Sequence, residues 1–244
     1  MIKTRTLVLG LAGLLLTATA CSEPSAATGN PGLSKVLFLG DSIAVGEALP
    51  MAAAFRAAGV GFESIASDGG GNVVGPFSAE NWKKLPGKIA AAEPAVVIYQ
   101  STTYDWGSER EQQDGYRKLL ATAGRSGAKT VFVTAPPIRA DEFYQPHMAE
   151  LNRTPDVART VAAGSGGQAS ALDAGQVWGP AYHQVKDGKP DRSADGIHTC
   201  PQGAARFTRW LLAELAKQYP GFQPPAPESW ANTGWSGDRH FQGC

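Results

Sequence analysis

Short apolar segments alternate with longer amphipathic segments through most of the chain. Five segments have the composition and bounding residues of buried parallel strands, at residues 35–39, 61–66, 95–99, 130–134 and 169–172. Five others repeat apolar residues at helical spacing, at residues 45–58, 84–92, 109–123, 142–163 and 201–219. This alternation predicts an α/β protein, a three-layer α/β/α sandwich around a mostly parallel, five-stranded sheet.

The ends of the strands indicate where a ligand would bind. In parallel sheets of this kind, ligands bind outside the carboxyl ends of the strands. The candidate loops are those after residues 39, 66, 99 and 133, together with the segment before Pro201, which suits the first position of the last helix. We predict a domain over residues 34–219 and a C-terminal tail over residues 220–244 that packs on it.

Composition narrows the functional classes. Basic and acidic residues number 22 each and no long basic run occurs, so nothing points to nucleic acid as a partner. His147, His183 and His240 lack the spacing of metal ligands, so we expect neither a metal nor another cofactor.

The N-terminus has the pattern of an export signal. Lys3 and Arg5 precede an apolar stretch over residues 7–16 that is too short to span a bilayer as an ordinary helix. Small residues then lead to Cys21, as at a bacterial lipoprotein processing site. We predict a lipoprotein-type signal peptide over residues 1–21, with lipid on Cys21, and a flexible tether over residues 22–33. Ordinary cleavage nearby is the alternative, so the protein is expected at the outer face of the bacterial cell membrane or secreted.

The cysteines agree with export. Three cysteines would leave one unpaired in an oxidising compartment. If Cys21 carries lipid, Cys200 and Cys244 remain to form a disulfide. Closing a loop of about 45 residues would stabilise the fold by roughly 3–4 kcal/mol in the chain-entropy treatment. The bridge would hold the tail beside the segment before Pro201, whereas the alternative is two free thiols.

Ser42 follows a strand and precedes a helix. Gly40 permits a tight turn there, and a helix N-terminus offers free N–H groups and a positive dipole end that favour the negative charge of acyl transfer. A serine is a weak nucleophile without a base. Taken alone, Gly40-Asp41-Ser42 would favour an ordinary helix cap.

A candidate base lies before the last helix, in Asp195-Gly196-Ile197-His198. A carboxylate three residues before a histidine can bond its Nδ1, which leaves Nε2 free to take a proton from serine. Alone, this segment is at least as well explained as a surface turn. Because both segments are predicted at the same sheet edge, the pair indicates a catalytic triad.

The two motifs together resemble those of the SGNH, or GDSL-like, serine hydrolases. That family carries its serine in a Gly-Asp-Ser block after the first strand and an Asp-x-x-His block before the final helix, and residues 40–42 and 195–198 match both. The resemblance spans about residues 33–219 and implies a flavodoxin-like SGNH fold. It implies that Ser42 is the nucleophile, His198 the general base and acid, and Asp195 the residue that orients His198.

The resemblance also implies an oxyanion hole, in which this chain departs from the family. The family uses the serine N–H, a glycine N–H after the second strand and an asparagine side chain after the third. Here Ser42 and Gly70, or else Gly69, supply the first two, and Thr103, or less favourably Thr102, stands where asparagine is expected. A lost donor costs roughly 3–4 kcal/mol if nothing replaces it. SGNH domains linked to polysaccharide O-acylation share this loss, so we do not read it as inactivation.

Candidate substrate-binding residues lie in the same loops. Asp41 and Gln100 adjoin the expected hole, and Asp105 and Trp106 could line a sugar site, although ordinary packing explains a single tryptophan equally well. Arg139 follows the fourth strand and could bind an anionic group, but an exposed arginine needs no such role.

These features favour a serine esterase that hydrolyses O-acyl esters, acetyl foremost, through an acyl-enzyme. Its substrate would be a cell-envelope carbohydrate or glycolipid, and the N-terminal lipid would be its only membrane contact. Two alternatives stay open: an O-acyltransferase with the same triad, and a non-catalytic glycan-binding lipoprotein.

Overall fold

The computed structural model describes residues 1–2 and 32–244. Residues 3–21 of the predicted signal peptide, with Cys21, and residues 22–31 of the predicted tether therefore lie outside the described residues. Among the residues that are described, no helix is both long and apolar enough to cross a membrane.

A sheet of five parallel strands forms the centre of the domain. The strands are β1 (Lys35–Leu39), β2 (Gly61–Ser64), β3 (Val96–Gln100), β4 (Lys129–Val133) and β5 (Ala169–Leu172). Their spatial order is β2-β1-β3-β4-β5, which confirms the predicted architecture. Because β1 lies between β2 and β3, the chain leaves β1 and β3 in opposite directions, and this switch point is where ligands bind in such sheets.

Helices cover both faces of the sheet. They are α1 (Ser42–Ala57), α2 (Ser78–Ala92), α3 (Glu109–Arg125), α4 (Met148–Ala163), the short α5 (Gly175–Trp178) and α6 (Pro201–Gln218). Helices α1 and α6 pack on one face, and α2, α3 and α4 on the other. Alternate residues of β1 serve the two cores: Val36 and Phe38 face α1 and α6, whereas Leu37 and Leu39 face the opposite layer.

Two local features differ from the sequence prediction. Helix α1 begins at Ser42 rather than at residue 45, because the Asp41 side chain caps it. A small hairpin of β6 (Val185–Lys186) and β7 (Lys189–Pro190) precedes α6. It was not predicted because its strands are only two residues long.

The C-terminal tail packs on α1. It contains three single-turn helices, at Pro227–Ser229, Trp235–Gly237 and Arg239–Phe241. Its buried residues Phe222 and Trp230 join the core that α1 and α6 share. The predicted disulfide is confirmed: Cys200 and Cys244 are bonded and their Cα atoms lie 5.7 Å apart. The tail thus ends beside the start of α6.

Candidate active site

Ser42 is the first residue of α1, one turn beyond the end of β1. The N–H of Ile43 donates to Asp41 Oδ1 at 3.0 Å, which fixes the start of the helix. A side chain at Gly40 would meet the Ala44 Cβ at 2.5 Å, so the strand enters the helix this closely only with glycine there. The serine hydroxyl is therefore placed by main-chain geometry at the carboxyl edge of the sheet.

Three side chains form a continuous hydrogen-bonded series. His198 Nε2 lies 2.8 Å from Ser42 Oγ, and His198 Nδ1 lies 2.7 Å from Asp195 Oδ2. The N–H groups of Ile197 and His198 both donate to Asp195 Oδ1, at 2.7 and 3.0 Å. The fold thus brings together the serine, histidine and aspartate that the two sequence motifs singled out.

Hydrogen bonds stabilise the negative charge of the Asp195 carboxylate. Partial burial acts to raise its pKa, but hydrogen bonds from the His198 ring and from the Ile197 and His198 N–H groups outweigh burial and lower the pKa to about 2. Asp195 is thus ionised at neutral pH, and it holds His198 with Nε2 facing the serine.

Arg192 holds the segment that carries His198. Its guanidinium is buried and donates to the backbone oxygens of Pro137, Ile197 and His198, the first at 2.9 Å. Burial lowers the pKa of Arg192, and the nearby Glu47 carboxyl opposes that change. Arg192 was not predicted as a site residue, because in a sequence a lone arginine before a turn cannot be distinguished from a solvated surface residue.

Gln100 and Glu47 form a buried pair behind the site. Gln100 Nε2 donates to Glu47 Oε2 at 2.6 Å, and both side chains are inaccessible. Burial raises the pKa of Glu47 well above its usual range, against the hydrogen bond from Gln100 and the charge of Arg192. The expectation that Gln100 binds substrate is therefore wrong, because its buried amide group is bonded to Glu47 and is inaccessible to a substrate.

Asp41 ties the β3 loop to α1. Its Oδ2 accepts from the Thr103 N–H at 2.7 Å and lies 2.9 Å from the Thr103 hydroxyl. Burial raises the pKa of Asp41, and the bonds from Thr103 and Ile43 oppose that shift. Two expectations are thereby corrected. Asp41 is buried and not a substrate contact, and Thr103 directs its hydroxyl at Asp41 rather than into an oxyanion hole.

Asp105 belongs to a buried polar network. It accepts hydrogen bonds from the Tyr99 and Tyr116 hydroxyls and from the N–H and hydroxyl of Thr102. Burial raises its pKa to about 6, although these donors act to lower it. Its predicted contact with substrate is wrong, since the side chain is wholly enclosed and joins β3 to α3.

Gly71, the third glycine of the cluster after β2, packs against the turn that precedes Ser42. A Cβ on Gly71 would stand 1.9 Å from the Gly40 carbonyl oxygen, and Gly71 has φ +81°. The Gly70 N–H is instead used in a turn, donating to the Ser67 oxygen at 3.3 Å, and no atom lies within 4 Å of a Cβ placed on Gly69. These contacts favour Gly71 over the predicted Gly70 and Gly69.

Ser42 and His198 open onto a cavity of about 160 Å³, also lined by Asp68 and His240. Trp106 lies elsewhere: it lines a different cavity with Gly107, and its ring stacks on His147 with centroids 3.5 Å apart. The sugar-binding role of Trp106 stays a prediction.

Arg139 contacts the histidine segment from outside. Its N–H donates to the Gly196 oxygen at 2.8 Å, and its guanidinium donates to the Ala194 oxygen. Arg139 therefore supports the turn between Asp195 and His198 and has no contact with the serine.

A separate cavity of about 700 Å³ lies at the ends of β4 and β5, and neither Ser42 nor His198 lines it.

No protein-family model and no curated protein matches this sequence. Several solved structures, in contrast, are similar to this chain. A catalytic mutant of Axe2, an acetylxylan esterase from Geobacillus stearothermophilus, is 13% identical over 78% of this chain and 96% of that chain, with a TM-score of 0.57. A GDSL-like lipase from Bacteroides thetaiotaomicron is 13% identical over 76% and 89%, with a TM-score of 0.56.

A carbohydrate esterase family 3 protein from Talaromyces cellulolyticus is similar as well, at 14% identity over 78% of this chain and 100% of that chain, with a TM-score of 0.53. At such identities the likeness concerns the fold. The chain thus has the α/β fold of these hydrolases, with a serine–histidine–aspartate series at the carboxyl edge of its sheet.

Proposed function

We propose that this protein is an SGNH-type serine esterase with Ser42, His198 and Asp195 as its triad. The observation that carries the proposal is the pair of contacts on His198, 2.8 Å to Ser42 Oγ and 2.7 Å to Asp195 Oδ2. A nucleophile, a base within hydrogen-bond reach of it and a carboxylate that orients the base are the minimum parts of this chemistry.

The reaction runs in two halves. Ser42 Oγ attacks the ester carbonyl carbon while its proton passes to His198 Nε2, and a tetrahedral oxyanion forms. His198 then gives that proton to the alcohol oxygen, the carbon–oxygen bond breaks, and the acyl group stays on Ser42. Water, deprotonated by His198, attacks the acyl-enzyme, and the acid leaves as Ser42 regains its proton.

The oxyanion hole is proposed to rest on two backbone donors. Among the described residues, the N–H groups of Ser42 and Gly71 lack an acceptor, and Gly71 packs against the turn that precedes Ser42. The β3 loop adds no side-chain donor, since Thr102 and Thr103 bond to Asp105 and Asp41. We therefore expect a modest rate constant, because one oxyanion donor is worth about 10²–10³ in kcat.

The proposed substrates are short O-acyl esters of carbohydrate, with acetyl as the acyl group. Two proteins of the same fold are an acetylxylan esterase and a carbohydrate esterase. Lipidation at Cys21 would place the enzyme beside cell-envelope glycans and glycolipids.

Hydrolysis of p-nitrophenyl acetate by residues 22–244 tests the proposal. We expect Ser42→Ala to abolish turnover and Ser126→Ala, at a serine far from the site, to leave it unchanged. p-Nitrophenyl octanoate should react more slowly than the acetate. Equal turnover by wild type and Ser42→Ala would contradict the proposal, and acyl transfer to an added sugar would identify a transferase instead.

A further inference from the structure

A second histidine–carboxylate group lies across the cavity from the triad. His240, from the tail, and Asp68, from the loop after β2, line the same space as Ser42 and His198. His240 Nδ1 lies 2.7 Å from Asp238 Oδ1, and its Nε2 lies 3.6 Å from Asp68 Oδ2. The mechanism above uses neither His240 nor Asp68.

The His240 ring is held in place from behind. Asp238 caps the short turn Arg239–Phe241 by accepting from the His240 N–H at 3.0 Å, and the same oxygen holds Nδ1. Phe241 is buried, and the Cys200–Cys244 bridge follows three residues later. The ring is therefore presented with Nε2 toward Asp68 and the cavity.

One hydroxyl group can contact both side chains. At 3.6 Å, Nε2 and Asp68 Oδ2 are too far apart for a direct hydrogen bond. A hydroxyl donates and accepts at once, so it can serve both groups. Thr199 also lines this cavity, and its buried hydroxyl has no partner among the residues that the structure describes.

The reaction decides which part of the substrate lies here. His198 Nε2 must protonate the departing alcohol oxygen, so the alcohol part of the ester has to lie beside His198. The cavity that His198 and Ser42 share therefore faces the alcohol, and its other wall carries His240 and Asp68.

We propose that His240 and Asp68 are specificity-determining residues that bind a hydroxyl group on the alcohol part of the ester, next to the scissile bond. This assignment rests on the proposed function and deepens it, since it names the alcohol as a polyhydroxyl compound such as a sugar. The disulfide-bonded tail would then complete the substrate site rather than only cover the domain.

Two acetates of similar size test the proposal: a mono-O-acetylated methyl glycoside with free neighbouring hydroxyls, and cyclohexyl acetate, which has none. The quantity measured is the ratio of their kcat/KM values. The ratio is insensitive to the active fraction of a preparation, so it separates binding from folding. We expect wild type to favour the glycoside and His240→Leu to lower the ratio roughly tenfold, the effect of one lost hydrogen bond.

Asp68→Asn should lower the same ratio, and the double variant should lose less than the product of the single effects, because both side chains bind one hydroxyl. His183→Leu, at an exposed histidine outside this cavity, is the matched control and should leave the ratio unchanged. If the ratio is unaltered in both His240→Leu and Asp68→Asn, the hydroxyl-binding role of these two residues is wrong, whereas the proposed esterase function is unaffected. Failure of the wild type to hydrolyse either acetate would overturn the proposed function, and this assignment with it.

Discussion

The two partners of the central hydrogen bond are held in different ways. Ser42 lies between β1 and α1, where strand, helix and a close glycine turn fix the main chain. His198 lies in the irregular segment between β7 and α6, and side chains fix it: Arg192 from inside, Asp195 within the turn, and the bridge at Cys200. The position of Ser42 therefore depends on the fold, and that of His198 on a few individual residues.

This difference predicts where substitutions matter. Substitutions near Ser42 that preserve the main chain should be tolerated, apart from the serine itself. Those that remove a support of the His198 segment should reduce activity even where the fold survives. The predictions below test this contrast.

Asp195→Asn should have the largest effect. The amide cannot favour the productive tautomer of His198 or stabilise its charge, so we expect kcat to fall by about 10³–10⁴-fold with little change in stability. Steady-state kinetics and thermal melting measure the two properties. Asp187→Asn, in the exposed turn of the β6–β7 hairpin, should leave both unchanged. A drop in kcat of less than tenfold for Asp195→Asn would refute the role assigned to it.

Arg192→Met should affect both stability and activity. It leaves the backbone oxygens of Pro137 and Ile197 without their donor and Glu47 without a neighbouring positive charge. We expect a loss of about 3 kcal/mol in the free energy of unfolding, and a fall in kcat in the fraction that stays folded. Urea unfolding and kinetics are the measurements, and the exposed Arg209→Met is the control. If Arg192→Met behaves like Arg209→Met, side-chain support of His198 is not needed.

Cys244→Ser should lower stability by roughly 3–4 kcal/mol, because it frees a loop of about 45 residues in the unfolded chain. Melting temperature measures this. Dithiothreitol should bring wild type down to the variant's melting temperature and leave the variant unaffected. If reduced and oxidised wild type melt together, the bridge does not support this region.

Asp105→Asn tests the interior behind the β3 loop and should have the smallest effect on activity. Because folding raises the pKa of Asp105 from its ordinary value to about 6, the protonated form is favoured in the folded state. The contribution of protonated Asp105 to the free energy of unfolding is therefore fully present below about pH 4 and is lost as the pH rises through about 6. The loss is at most about 3 kcal/mol. The difference in unfolding free energy between wild type and variant, measured at pH 4 and pH 7, should show this change. A difference that stays constant with pH would contradict it.

Sequence alone predicted the parallel sheet, the disulfide and the proximity of Ser42, His198 and Asp195, because apolar periodicity, cysteine number and motif position each leave a local signal. It misassigned the polar residues of the β3 loop. Asp41, Gln100 and Asp105 looked like substrate contacts because polar residues near an active edge are usually accessible. Each instead has buried partners, and those of Gln100 and Asp41 come from distant parts of the chain: Glu47 lies 53 residues from Gln100, and Thr103 lies 62 residues from Asp41. Pairings of that kind leave no pattern in one sequence.

The central claim is that Ser42 is a nucleophile activated by His198. The most direct measurement is the intact and peptide mass of the protein after treatment with a p-nitrophenyl alkylphosphonate, which transfers its phosphonyl group to an activated serine as p-nitrophenolate leaves. We predict one adduct per chain, on Ser42, and none in His198→Ala. No adduct on the wild type, or an adduct on any residue other than Ser42, would contradict the account.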